Sequence, residues 1–206
     1  MDSKTMFGGE DLNPVVCGEE SFGTGSNHVR EKDGMWAVLT WMQILASYNT
    51  DASKPFVSVE DIVRAHWKSY GRNFYCRYDY EGVDKPKANA LMDHLRASFA
   101  SLPGKTFGTF TVGLADEFCY IDPIDGSISP NQGIRILMVD GSRVVFRLSG
   151  TAGSGATVRM YLEKYENNPA LVGGVTKDAL KELVDVAFEI SQVVQITGFT
   201  APTVIT

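Results

Sequence analysis

The stretch RLSGTAGSGATVRMY, Arg147 to Tyr161, decides how this chain is read. Strand side chains alternate between faces, so Val144, Phe146 and Leu148 point one way while Arg147 and Ser149 point the other. The run after the loop repeats the arrangement, with Val158, Met160 and Leu162 as its apolar face and Thr157, Arg159 and Tyr161 as its polar one. Between the two lies GTAGSG, a turn-rich loop of small residues. Paired as a hairpin, the strands bring Arg147, Ser149, Thr157 and Arg159 to one side. The glycines let backbone N–H groups turn inward, the hydroxyls of Ser149, Thr151 and Ser154 can donate, and two guanidiniums offer forked donors suited to phosphate oxygens. That is a cup for an anion. The same residue types also fit an ordinary long hairpin with surface arginines. There is no GxxxxGK[ST], and the loop joins two strands instead of opening a helix, so the cup suits a terminal phosphate on a small molecule better than a nucleotide.

Working outward, KTFGTFTV, EFCYID, GIRILMVD, SRVVFRLS and ATVRMYLEKYE read as short strands, with turn signals DPIDG and DG between them. A helix from about Lys87 to Leu102 precedes them and is stopped by Pro-Gly. A last helix, Lys177 to about Thr197, carries Leu180, Leu183, Val184, Ala187 and Ile190 on one stripe. Residues 83–206 therefore predict an antiparallel sheet with a helix at each end of the chain order, an α+β layer architecture. Upstream, GRNFYCRYDYEGVDKPKA mixes aromatics with charge and shows no clear period, which places a hinge at residues 71–82. In residues 1–70 Asp33 looks like an N-cap, and Met35 to Ser47 is apolar almost all round, the pattern of a helix buried between layers. NTDASKPF breaks it. Ser58 with Glu60 and Asp61 opens a second helix through about Tyr70, and Gly71 is its stop. Residues 47–56 receive no functional reading.

The formal charge of -6 over 206 residues argues against nucleic acid or an acidic membrane surface as the main partner. Three cysteines, Cys17, Cys76 and Cys119, show no regular spacing and fit a reducing compartment rather than a disulfide framework. The N-terminal residues have no basic and apolar signal pattern, and the longest apolar run is interrupted by Thr40 and Gln43. A soluble, cytoplasmic protein is expected. In CGEES, Glu19 and Ser21 share a side of an extended backbone while Glu20 faces away, and a carboxylate with a hydroxyl is equipment for gripping sugar hydroxyls. Downstream, Arg30 and Lys32 add donors and a possible proton carrier. A solvated charged loop has the same composition. His28 alone is uninformative, and His66 and His94 lie in helical segments with no second ligand at metal-binding spacing.

Taken together, CGEESFGTGSNHVREKDGMWAVL, GRNFYCRYDYE, RLSGTAGSGATVRMYLEKYE and the terminal TAPTVIT resemble the α-D-phosphohexomutase family, and within it the C-terminal part of the phosphoglucomutases. The resemblance covers nearly the whole chain. It implies a cytosolic isomerase that interconverts glucose 1-phosphate and glucose 6-phosphate through glucose 1,6-bisphosphate, using a phosphoserine and magnesium, and monomeric at full length. It implies that Glu19 and Ser21, from the GEES loop of the third domain, grip sugar hydroxyls, with Lys32 in a proton-handling or substrate-contact role. Arg147, Ser149, Gly150, Thr151 and Arg159 are implied to bind the substrate's non-transferring phosphate. The implied fold is a TBP-like fourth domain over residues 83–206, preceded by the end of an α/β third domain over residues 1–70. The sequence departs from the family in having no TASHNPGG-type loop for the phosphoserine and no DGDGDR-type loop for the metal, and a PTG turn is also missing. The chain is therefore expected to be a fragment that holds no catalytic residue, binds no metal or bisphosphate through its own side chains, is inactive alone, and self-associates through its incomplete third domain. A non-catalytic phosphosugar-binding or scaffold relative is the other reading.

Overall fold

The computed structural model of the chain describes residues 16–19, 22–29, 31–150 and 155–206. Ser21, Arg30, Thr151 and Ser154 lie outside the described residues. The chain falls into two compact units, one reaching to Ala65 with Asp122–Ser127, the other made of His66–Ile121 and Ile128–Thr206.

In the first unit a short hairpin pairs β1 (Cys17–Gly18) with β2 (Thr24–Gly25), and helix α1 (Gly34–Tyr48) follows. Asp33 starts α1 as expected: its carboxylate accepts from the Trp36 N–H at 2.9 Å. Helix α2 (Val59–Tyr70) opens with a reciprocal cap, in which the Asp61 N–H donates to Ser58 Oγ and the Ser58 N–H to Asp61 Oδ2. It stops at Gly71, whose φ of +81° suits glycine. The apolar face of helix α1, expected to lie largely uncovered in an incomplete third domain, does so. None of its residues is buried, and Met35 and Met42 are 71% and 60% exposed. A cap and a run of helix formers suffice to make the helix, whereas burial needs a layer to cover it, and the described residues supply none.

The second unit is built on strands β3 (Arg72–Val83), β4 (Thr106–Phe107), β5 (Phe110–Ile121), β6 (Ile128–Met138), β7 (Arg143–Gly150), β8 (Ala156–Glu166) and β9 (Val204–Ile205), in the order β4-β5-β6-β7-β8-β3-β9, with every paired neighbour antiparallel. Helices α3 (Lys85–Ala97) and α4 (Thr176–Ser191), with the short α5 (Val193–Thr197), complete it. Leu91 and Leu95 of α3 and Leu180, Leu183 and Ile190 of α4 join Ile134, Ile136, Val144, Phe146, Val158, Met160 and Leu162 of the sheet in one buried cluster. Each fully buried aliphatic side chain there contributes roughly 1.5–3 kcal/mol. The α+β architecture expected for residues 83–206 is the observed one.

The segment expected as a hinge at 71–82 is instead strand β3, held between β8 and β9. Phe74 and Tyr80 enter the core while Tyr75 on the opposite face is half exposed, so aromatics on both faces hide the two-residue period. KTFGTFTV is divided by a tight turn at Gly108, φ +56°, and its second half continues through EFCYID as one strand. Irregular pairing between Val112 and Leu114 and between Phe118 and Tyr120 shifts the alternation, which is why two shorter strands were expected. Helix α3 ends at Ala97, where Ser98 Oγ donates to the Leu95 carbonyl at 2.6 Å and the chain goes on in turns. The last helix is broken at Gln192, which adopts the left-handed conformation at φ +51°.

Candidate functional site: a facing arginine pair

Strands β7 and β8 pair in the register the alternation requires. Val144 faces Leu162, Phe146 faces Met160 and Leu148 faces Val158 on the core side, while Arg147 faces Arg159 and Ser149 faces Thr157 on the other. Gly150 lies opposite Ala156, at the mouth of the loop. Two guanidiniums thus stand directly across from one another, an arrangement that is unfavourable between neighbouring strands unless an anion lies between them.

Around this rung four other arginines of the unit are closed by carboxylates, while Arg72 donates to the Val172 and Gly174 carbonyls and to Thr176 Oγ1. Arg135 grips Asp116 with Nε at 2.8 Å and Nη2 at 2.6 Å, Arg96 grips Glu117 at 2.8 and 2.9 Å, Arg143 is paired with Glu163, and Arg77 clasps Asp79 at 2.8 and 3.0 Å. The Arg135 hydrogen bond holds the Asp116 carboxyl below the usual carboxylate range. Arg147 is exposed and has no hydrogen-bond or ion-pair partner among the described residues. Arg159 reaches Asp79 Oδ2 only at 3.8 Å, and its Nε is buried with no hydrogen-bond partner. Beside Arg147 opens a polar cavity of about 350 Å³, bordered also by Asn89, Arg96, Glu117 and Gln132.

Asp79 and Arg77 were not singled out in the sequence. Both sit in the stretch taken for a hinge, and only the pairing of Asp79 with Arg159 across β3 and β8 brings them to the face.

In the first unit, Glu19 lies at the tip of the β1–β2 hairpin. Its carbonyl accepts from the Phe22 N–H at 3.1 Å and its N–H donates to the Gly23 carbonyl at 3.0 Å, so Glu19 and Phe22 close a turn. Ser21, expected beside Glu19, lies outside the described residues. The chain returns past β2, where the Asp33 N–H donates to the Thr24 carbonyl at 2.7 Å. That return brings Lys32 Nζ to 3.1 Å from Glu19 Oε1 and 3.2 Å from Glu31 Oε2. Hydrogen bonds that its ammonium donates to Glu19 and then to Glu31 raise the lysine's pKa, so it stays an ammonium donor. Gly23 makes room for the pair, since a Cβ there would come 2.6 Å from Glu19 Oε1. His28 Nε2 lies 2.9 Å from Asp33 Oδ2, and this contact leads the causes that lower the aspartate's pKa. His94 Nε2 meets the Ile190 carbonyl at 3.1 Å across α3 and α4, a packing role. Among the described residues no group of three His, Cys, Asp or Glu side chains is placed to hold a metal ion, and no helix is long and apolar enough to cross a membrane.

Comparison with known proteins gives this geometry a family. Residues 4–70 match the profile for phosphoglucomutase/phosphomannomutase, alpha/beta/alpha domain III. Residues 72–203 match that for the phosphoglucomutase-1 C-terminal domain, and the chain belongs to the phosphoglucomutase family. It is 55% identical over 201 residues to a probable cytoplasmic phosphoglucomutase of Arabidopsis thaliana, covering 93% of this chain and 34% of that protein. It is 53% identical over 192 residues to a phosphoglucomutase of Rhizobium radiobacter, with the same coverage. Among solved structures, the open form of the exocytosis-sensitive phosphoprotein pp63/parafusin, a phosphoglucomutase from Paramecium, superimposes with a TM-score of 0.83 at 49% identity, over 93% of this chain and 32% of that one. The chain thus spans about a third of the length of the relatives it matches.

Proposed function

We propose that this chain is the part of a phosphoglucomutase that holds a hexose phosphate while its other phosphoryl group is transferred elsewhere in the whole protein. The observation that carries the reading is the Arg147–Arg159 rung, two facing guanidiniums of which one has no partner among the described residues. Arg147, Ser149, Gly150, Thr151 and Arg159 bind the non-transferring phosphate, which supplies the negative charge the rung lacks. In the first unit, Glu19 accepts from sugar hydroxyls and Ser21 donates beside it. Lys32, held as an ammonium, serves as a donor rather than a base.

The reaction of the whole protein is the interconversion of glucose 1-phosphate and glucose 6-phosphate in the cytoplasm, with glucose 1,6-bisphosphate as intermediate. Magnesium there neutralises charge on the transferring phosphoryl group. Among the described residues no group of three His, Cys, Asp or Glu side chains is placed to hold the ion. What these residues contribute is position: a substrate fixed at its distal phosphate has fewer orientations available to its reacting oxygen.

Calorimetric titration of the 206-residue chain with glucose 6-phosphate tests the proposal. Charge-assisted hydrogen bonds contribute about 1.5–3 kcal/mol each, so Arg147→Ala is expected to weaken binding by at least roughly tenfold. The same preparation should not turn over glucose 1-phosphate. Equal affinity in the wild type and the Arg147→Ala variant would remove the cup from the reading, and turnover that Arg147→Ala abolishes would show that the chain carries chemistry of its own.

A further inference from the structure

Asp79 stands behind the arginine rung. It is 4% exposed, and β3 places it directly opposite Arg159 on one side and Val204 of β9 on the other. Because β8 lies between β3 and β7, the charges along this line of the sheet run carboxylate, guanidinium, guanidinium: Asp79, Arg159, Arg147. Arg77 Nε and Nη2 hold the two Asp79 oxygens at 2.8 and 3.0 Å. The backbone is pinned as well. The Asp79 carbonyl accepts from the Thr203 N–H and Thr203 Oγ1, each at 2.8 Å, while Arg77 and Thr206 exchange N–H···O bonds of 2.7 and 3.0 Å.

We propose that Asp79 is a positioning residue for anion binding: a buried counter-charge, fixed by Arg77 and the C-terminal strand, that holds Arg159 on its own side of the rung so that the anion fits between Arg159 and Arg147. The inference rests on the phosphate reading of the rung given above. At 3.8 Å the carboxylate is close enough to attract the Arg159 guanidinium and too far to hydrogen-bond Nε, which remains buried without a partner. It draws the guanidinium back without consuming its donors. With the charge removed, Arg159 would lose the carboxylate that the structure pairs with it, while Arg147 still stands across the rung. It would then lose the position from which its fork meets the phosphate.

A double-mutant cycle on inorganic phosphate binding tests this. Coupled neighbours depart measurably from additivity, so Asp79→Asn is expected to weaken phosphate binding by about fivefold or more in the wild type and to add almost nothing in the Arg159→Ala background. A purely structural role would give losses that add. Should Asp79→Asn fail to fold, the pair Arg77→Met with Asp79→Asn removes both members of the buried Arg77–Asp79 ion pair, so that neither is left behind without the other, and still deprives Arg159 of its counter-charge. Non-additive loss in either background supports the proposal. Unchanged affinity, or losses that sum, overturns it even where Arg147→Ala abolishes binding. A wild type that binds no phosphate overturns it together with the phosphate reading.

Discussion

At the residue scale, Lys32 shows how neighbours decide a role that a motif leaves open. An exposed lysine between two carboxylates has every reason to keep its proton, and the larger contribution comes from Glu19. Glu19→Gln is therefore expected to lower the Lys32 pKa toward the ordinary lysine value, read from an NMR titration of the Lys32 Cε resonances between neutral and strongly alkaline pH. An unchanged midpoint would mean that Glu31 alone sets it. The facing of Arg147 with Arg159 and of Ser149 with Thr157 was legible in the sequence because strand alternation on either side of one loop is a local pattern. Asp79 was not. Its importance comes from lying opposite Arg159 on a strand far away in sequence, and no spacing within RNFYCRYDYEGV announces that partner.

At the scale of elements, strand β8 emerged with the expected bounds because one face is uninterrupted Val158, Met160 and Leu162. The break at Gln192 was invisible, since glutamine favours helix and nothing local marks the left-handed turn there. The entry to β8 depends on Gly155, at φ +95°, where a Cβ would come 3.1 Å from the Gly82 backbone and the Val83 carbonyl. A side chain at that point meets two penalties together, the left-handed backbone and a clash with β3 where its pairing is already irregular, between Tyr80 and Val83. Gly155→Ala is expected to cost about 1–3 kcal/mol in denaturant unfolding. Because the same hairpin carries the rung, phosphate affinity should fall with it. A variant as stable as the wild type would show that β3 yields easily at this point.

On the scale of the whole molecule, the two units differ in what holds them. Every buried hydrophobic residue of the core cluster lies between Phe74 and Val193, in the second unit. The first has among its described residues an apolar helix with Met35, Val38, Leu39 and Met42 exposed, and an exposed face of that kind favours association with a second copy. Light scattering is expected to show mass rising with concentration, and Leu39→Glu with Met42→Lys, both on exposed positions of α1, should suppress the rise. A wild type that stays monomeric would contradict this. Unequal cores also imply unequal stabilities, because a unit whose described residues include no buried apolar side chain opens at low free-energy cost while a cored one unfolds cooperatively. Heating should therefore give a shallow early change and a sharp later transition. Inorganic phosphate, bound only by the folded rung, should raise the sharp transition alone, by up to about 2.7 kcal/mol at a hundredfold excess over its dissociation constant. Sodium chloride at matched ionic strength would screen the facing arginines without bridging them, so its smaller effect separates a seated anion from general relief of repulsion. If both transitions move equally with phosphate, the anion is acting on the chain as a whole and not at Arg147 and Arg159.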